Sequence, residues 1–262
     1  MYNSSFFVRF TRIFDYIHVM VLIFPLVFLI SPVNLISQRT LIVFLANLFL
    51  TAFGYMYNDL EDAEDDYHDL EKRGRNPVAS GEVTRGQSYA FNFLLLVVGL
   101  SLLLLISVQV FLTGFALAVV GFLYSWRRLR LKSVPVLDLV SHVFFLGALQ
   151  FLITYLSFRP LDWFVVPFLM VIIPSSMINE MLHEMSDFEV DGLTGVNNTI
   201  QSLGRSDVDR LLAILVLISV VGASIIIFSL PLGNGVFNLL LSLLAGFAVI
   251  YKLSSRVSNL NY

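Results

Sequence analysis

The chain has 262 residues, of which 57% are hydrophobic and 13% charged, and a net charge of −3. That balance, with a mean hydropathy of +0.83, excludes a soluble domain and points to a polytopic membrane protein. The absence of cysteine excludes disulfides and thiolate metal sites, and there is no basic tract of the kind nucleic acid needs.

Met1 to Arg12 is short and polar and carries no small-residue cleavage site, so the first apolar run reads as a retained span rather than a leader. Apolar windows predict eight spans, at roughly 13–31, 40–58, 87–107, 109–126, 137–157, 162–181, 208–229 and 235–253. The third and fourth are separated only by Ser107 to Gln109 and a later Thr113-Gly114, yet the run is too long for one helix.

The second span ends in Asn58-Asp59-Leu60-Glu61-Asp62-Ala63-Glu64-Asp65-Asp66. Asp59, Asp62 and Asp66 stand at i, i+3 and i+7, and share one face of a helix. Carboxylates so placed repel one another unless a multivalent cation lies between them. Oxygen-only ligands suit Mg²⁺ shared with phosphate oxygens. The plainer reading is a solvated acidic loop, and the second half of the chain argues against it. His183, Glu184, Asp187 and Asp191 repeat Asn58, Asp59, Asp62 and Asp66 at one constant offset of 125 residues. A repeat at this distance predicts two related halves, about 1–133 and 134–262, within one membrane domain. Fourteen of the nineteen acidic residues lie in Asp59–Glu82 and Glu180–Asp191, which leaves little acid elsewhere.

With the N-terminus inside, eight spans put fourteen of sixteen basic residues on the cytoplasmic side, leaving only Arg39 and Arg159 outside. Both acidic motifs then open on the cytoplasm. The long loop from about Asp59 to Arg85 mixes acid with Lys72, Arg73 and Arg75, and breaks at Asn76-Pro77-Val78-Ala79-Ser80-Gly81. A loop this long beside a site serves as a lid or as a plain connector. Arg127, Arg128, Arg130 and Lys132 follow the fourth span, as topology anchors, anion ligands or both. Ser206 or Asp207 is expected to cap the seventh span, and Asp138 the fifth. His142 is expected to be satisfied within its own helix, and no zinc site is expected: His-Glu-x-x-His would need a histidine where Asp187 stands.

Two acidic clusters with nearby arginine and lysine suit a lipid diphosphate, whose carboxylate-bound Mg²⁺ stabilises the leaving group. The 24 Phe and 10 Tyr offer π faces for an allylic cation, although most are expected to pack helices or face lipid.

Asn58-Asp59-x-x-Asp62-x-x-x-Asp66 and Asp187-x-x-x-Asp191 resemble the paired signatures of the UbiA superfamily of intramembrane prenyltransferases. Similarity extends to Lys72–Gly81, Tyr124-Ser125 with Arg130-Leu131-Lys132, and Gly195–Gly204. The resemblance implies an all-α transmembrane bundle around a central cavity, two Mg²⁺ ions, a polyprenyl diphosphate and a hydrophobic acceptor. By position, Asp59, Asp62, Asp66, Glu184, Asp187 and Asp191 are implied as metal ligands, with Asp62, Asp66, Asp187 and Asp191 as the catalytic acids. Asn58, Lys72, Arg75, Tyr124 and either Arg128 or Lys132 are implied as diphosphate contacts. The family usually has nine spans; with eight, a second subunit could wall the lipid-side opening. The expected reaction is Mg²⁺-dependent prenyl transfer in a prokaryotic cell membrane. A terpene cyclase on the same scaffold is the alternative, and a cation transporter the more distant one.

Overall fold

The computed structural model describes residues 6–194, 198–203 and 205–229; of residues 187, 189–194, 205 and 206 it describes the backbone alone. Among the described residues the regular structure is entirely helical: α1 (Phe6–Thr11), α2 (Ile13–Val21), α3 (Ile23–Ile30), α4 (Gln38–Asp66), α5 (Leu70–Arg75), α6 (Arg85–Leu104), α7 (Val108–Ser125), α8 (Leu137–His142), a π-helical segment (Val143–Ala148), α9 (Leu149–Phe158), α10 (Val165–Thr194), α11 (Thr199–Ser202) and α12 (Arg205–Ser229). Among the described residues seven stretches are long and apolar enough to cross a membrane: Ile13–Ile30, Gln38–Asp66, Arg85–Leu104, Val108–Ser125, Leu137–Phe158, Val165–Ser186 and Asp207–Ser229. These are the first seven predicted spans. The eighth, 235–253, lies outside the described residues.

Helix starts follow local chemistry. Ser37 caps α4 by accepting from Thr40 N at 3.2 Å. Thr84 and Gln87 form a reciprocal capping box at α6. Ser107 caps α7 through Val110 N at 3.2 Å, which divides the long apolar run into two spans as predicted. Two expected caps are corrected. Ser206 and Asp207 lie inside the first turn of α12, which begins at Arg205. Asp138 lies within α8, whose N-cap position is Val136, and its carboxylate is committed elsewhere.

The long loop expected from about Asp59 begins later. The acidic stretch Asp59–Asp66 is the last two turns of α4, and the second motif continues α10 through Thr194. The backbone of each motif is therefore helical. The remaining connector contains α5, capped by Asp69 through Glu71 N and Lys72 N, followed by the turn at Asn76–Gly81, where Gly81 has φ 81°.

The chain divides into two compact units. One comprises Met1–Leu131 with Phe144–Pro160, and the other Lys132–Val143 with Leu161 onward. In the first unit, α4 is the central element. Val43, Ala46 and Leu50 are fully buried against Ile23, Val27, Leu103, Val110, Leu117 and Ile153. Two glycines allow one close contact there: a Cβ on Gly54 would lie 2.1 Å from Phe145 Cζ, and one on Gly121 2.6 Å from its Cε2. In the second unit, Leu139, Ile178, Met181, Leu182, Ile200, Val208, Leu212 and Leu215 form the core. The apolar residues left exposed, such as Phe93 and Leu94 on α6 or Ile214 and Leu217 on α12, are those a bilayer solvates.

Candidate active site

In the first unit the C-terminal end of α4 carries five carboxylates engaged by four arginines from distant positions: Arg12, Arg127, Arg130 and Arg85, whose Nη1 lies 3.7 Å from Glu64 Oε1. Arg12 reaches Asp59 Oδ1 at 3.0 Å and Asp15 Oδ2 at 2.6 Å, and its guanidinium lies 5.2 Å from the Tyr55 ring centroid. Burial works to lower the pKa of Arg12, but the charges of Asp59 and Asp15 outweigh it and hold the guanidinium above its ordinary value. The second oxygen of Asp59, Oδ2, is buried with no hydrogen-bond partner among the described residues.

Arg130 donates from Nη2 to Asp62 Oδ1 at 3.1 Å and to Asp65 Oδ2 at 3.0 Å. Arg127 bonds Glu64 and, at 2.9 Å, Asp65 Oδ1, while its backbone N–H donates to Glu61 Oε2 at 3.0 Å. Arg12 and Arg130 both adopt left-handed backbone conformations, φ 53° and 41°. A side chain there carries strain that the surrounding contacts must hold, and in both cases those contacts include an aspartate of the motif.

Asn76 anchors the connector to the motif. Its Nδ2 donates to Asp59 O at 2.8 Å and to Asp66 Oδ2 at 2.9 Å, and its Oδ1 accepts from Val78 N and Ala79 N. One buried side chain thus sets the turn and orients the last aspartate. Beneath the motif, Phe53, Tyr57, Phe122 and Trp126 form a continuous series of ring contacts, with centroids 5.0–6.0 Å apart.

The residues expected at the diphosphate are distributed as follows. Asn58 Oδ1 accepts from Ser125 Oγ at 2.9 Å, which ties α4 to α7. Lys72 and Arg75 lie on α5 and are exposed, and the Arg75 charge acts on Asp59. Tyr124 is half-buried on α7. Arg128 lies 5.8 Å from the Trp126 ring centroid, whereas Lys132 belongs to the second unit. The arginines that actually meet the motif, Arg127 and Arg130, flank the predicted Arg128; their spacing of three in a basic turn was the available signal. Arg12 carried none, because its contact spans 47 residues of chain.

In the second unit, Glu184 is buried and its Oε2 accepts from Ile200 N at 3.1 Å. Asp138 accepts from Thr199 N at 2.6 Å and from the Thr199 hydroxyl, and so fixes the start of α11. Val136, at φ 71°, donates to Thr199 Oγ1 at 2.7 Å. His142 has its partner on another helix: Nδ1 and Glu180 Oε2 are 2.8 Å apart, which corrects the expectation of an intrahelical bond. The side chains of Asp187 and Asp191 lie outside the described residues.

Among the described residues, no group of three or more His, Asp or Glu side chains is gathered as a metal-ligand set. The donor chemistry nonetheless fits Mg²⁺. The motif supplies oxygen ligands only, and Asp59 Oδ2 is a buried acceptor lacking a partner. Asp59, Asp62 and Asp66 are the residues of the first motif that would hold the ion.

A known relative at 28% identity is the 4-hydroxybenzoate octaprenyltransferase of Psychrobacter arcticus, aligned over 76% of this chain and 64% of the relative, slightly less than two thirds of that protein's length. Among solved structures, a UbiA homolog from Archaeoglobus fulgidus bound to GPP and Mg²⁺ superposes with a TM-score of 0.73 at 21% identity, covering 94% of this chain and 86% of that one. A digeranylgeranylglyceryl phosphate synthase superposes with a TM-score of 0.75 at 21% identity, over 96% and 86% respectively. At these identities the structural likeness establishes the fold, a helical membrane bundle. Residues 19–259 match the sequence model of the UbiA prenyltransferase family, and the chain is therefore a multi-pass, all-helical member of that family.

Proposed function

We propose that this protein transfers a prenyl group from a polyprenyl diphosphate to a hydrophobic acceptor within the membrane, in a Mg²⁺-dependent reaction. The observation that carries this reading is the end of α4. A helix-borne carboxylate face, with a buried oxygen on Asp59 that has no partner among the described residues, lies against four guanidinium groups, the pairing of metal ligands and anion ligands that a diphosphate requires. Bound Mg²⁺ supplies Lewis-acid stabilisation of the diphosphate as it departs. Asp59, Asp62 and Asp66 would bind it, and Arg127 and Arg130 are placed to exchange carboxylate contacts for phosphate oxygens. Asn76 keeps Asp66 in position throughout.

The two acidic motifs, in this reading, act on one diphosphate. Glu184, Asp187 and Asp191 complete the metal shell from the second half, and Asn58, Lys72, Arg75, Tyr124 and Arg128 or Lys132 assist at the phosphates. The halves 1–133 and 134–262 are pseudo-repeats of one domain. The host is a prokaryotic cell membrane, with both termini and the site's mouth on the cytoplasmic side, as the basic residues indicate.

The test is diphosphate release from geranylgeranyl diphosphate by purified protein with and without Mg²⁺. Asp62→Ala and Asp187→Ala are expected to abolish it while the protein remains monodisperse in detergent. Wild-type turnover in either variant overturns the reading. A cyclic product formed without acceptor would assign the protein as a cyclase on the same diphosphate site. Metal flux into proteoliposomes without any diphosphate turnover would assign it as a transporter.

A further inference from the structure

Two titratable side chains in the second unit are unused by the diphosphate chemistry. His142 and Glu180 are each about nine-tenths buried, and Nδ1 and Oε2 meet at 2.8 Å. Both lie within stretches that qualify as membrane spans, Leu137–Phe158 and Val165–Ser186. Ionisable groups at such depth are costly and mark function more often than packing.

Their placement is specific. Glu180 precedes Asp187 by seven residues, so it lies on the same face of α10 about two turns deeper, roughly 10 Å along the axis. Ser176 stands one further turn along that face, and its Oγ is buried with no hydrogen-bond partner among the described residues. His142 is the last residue of α8, where the helix passes into the π-helical turn Val143–Ala148, a distortion that recurs at functional sites. The charged groups around the pair are Asp138 on α8 and Glu184 on α10. α11 offers no titratable residue, and Asp207, Asp209 and Arg210 of α12 are exposed. Asp138 and Glu184 are already occupied by backbone N–H groups of Thr199 and Ile200.

We propose that His142 accepts the proton released by the acceptor substrate, with Glu180 as the residue that positions it. The proposal rests on the prenyl-transfer reading above. The acceptor it implies carries a hydroxyl at or beside the atom that becomes prenylated. In the step, the allylic C–O bond of the donor breaks and its electron pair leaves with the diphosphate. The acceptor's carbon or oxygen supplies the pair for the new bond to the prenyl carbon. The proton left on that atom passes to His142 Nε2, because Nδ1 is held by Glu180, and the resulting imidazolium is stabilised by that carboxylate. Ser176 Oγ, which has no partner among the described residues, would take the acceptor's hydroxyl. A phenol and a lipid alcohol share this chemistry.

The test uses the full chain in nanodiscs with Mg²⁺, geranylgeranyl diphosphate, and either 4-hydroxybenzoate or a glyceryl phosphate lipid with a free hydroxyl. His142→Ala is expected to lower kcat for transfer by about 100-fold or more, the range of general-base catalysis. Binding of the unreactive geranylgeranyl thiodiphosphate should be unchanged, and added imidazole should restore turnover. Glu180→Gln should lower kcat without imidazole rescue, and Glu180→Asp should recover part of it. His142→Asn, which keeps a donor towards Glu180, serves as the second variant if His142→Ala does not fold. Wild-type kcat in a folded His142 variant, or loss of donor binding in step with activity, overturns the proposal and leaves a packing role. A wild-type protein that binds donor and cyclises it overturns this proposal while sparing the diphosphate site. One that does not bind donor overturns the prenyl-transfer reading itself.

Discussion

Removing the Arg12 guanidinium should destabilise the protein more than any surface ion pair could. Arg12 and Asp59 are 14% and 8% exposed in their side chains, and truncating one member of such a buried pair costs about 3–5 kcal/mol. Arg12→Gln is placed at the lower end of that range, because Asp59 can take up a proton and shed its charge. The backbone at φ 53° strains glutamine as much as arginine. Arg12→Gly relaxes that strain, by about 1–2 kcal/mol, and should therefore be the milder variant although it removes more side chain. At roughly 2–4 °C per kcal/mol for a chain of this size, Arg12→Gln should lower the apparent thermal midpoint in detergent by about 6–12 °C. Scans at one fixed rate make the variants comparable even if unfolding is irreversible. Arg12→Gln with Asp59→Asn removes both charges and should lie well above the sum of the two single losses. A midpoint for Arg12→Gln within about 2 °C of wild type, where 1 kcal/mol moves 2–4 °C, refutes the reasoning. So does strict additivity in the double variant.

Three further outcomes follow from particular contacts. Gly222→Ala should destabilise the second unit by about 1–3 kcal/mol: its Cβ would lie 2.7 Å from Met170 Cβ and 2.8 Å from Pro167 O, neither of which is a flexible side-chain end. A melting midpoint equal to wild type would contradict that packing. Asn76→Ala frees Asp59 O, Asp66 Oδ2 and two turn N–H groups at once; it should raise the Mg²⁺ concentration needed for half-maximal diphosphate release at least several-fold, and an unchanged requirement counts against its orienting role. Glu82 is held below its ordinary pKa, chiefly by hydrogen bonding from Arg9. A depressed carboxylate stabilises the fold above its unfolded pKa and loses that contribution as pH falls through the folded value, so Arg9→Gln should flatten the acid limb of stability below about pH 4.5, the ordinary glutamate range. The change is small for so exposed a pair, and an identical acid limb in both proteins would rule it out.

Much of the architecture was legible before any coordinates. Span-length apolar runs, the break at Ser107 to Gln109 and the twin acid motifs all follow from local chemistry, because a bilayer requires every backbone polar group to be satisfied within its own helix. The misread elements were the ends. Asp59–Asp66 resembled a loop because it is polar, yet α4 continues through it: helix propensity does not stop where hydrophobicity does, and Arg12, Arg127 and Arg130 offset the repulsion of its acids.

The sequence by itself determined an all-helical membrane protein of the UbiA type and the two acidic stretches that mark its chemistry. The helical membrane class depends on composition and periodicity, which are sums over neighbouring residues, and the UbiA likeness on the resemblance of the two acidic motifs to that family's signatures. Only the tertiary structure decided which cation meets which acid: Arg12 rather than a nearer arginine at Asp59, Arg127 and Arg130 rather than Arg128 at the rest of the motif, and Glu180 beside His142. The physical reason is reach. A side chain's partner is set by which helix faces pack together, and contacts separated by 38 to 68 positions leave no trace in the pattern of any single segment.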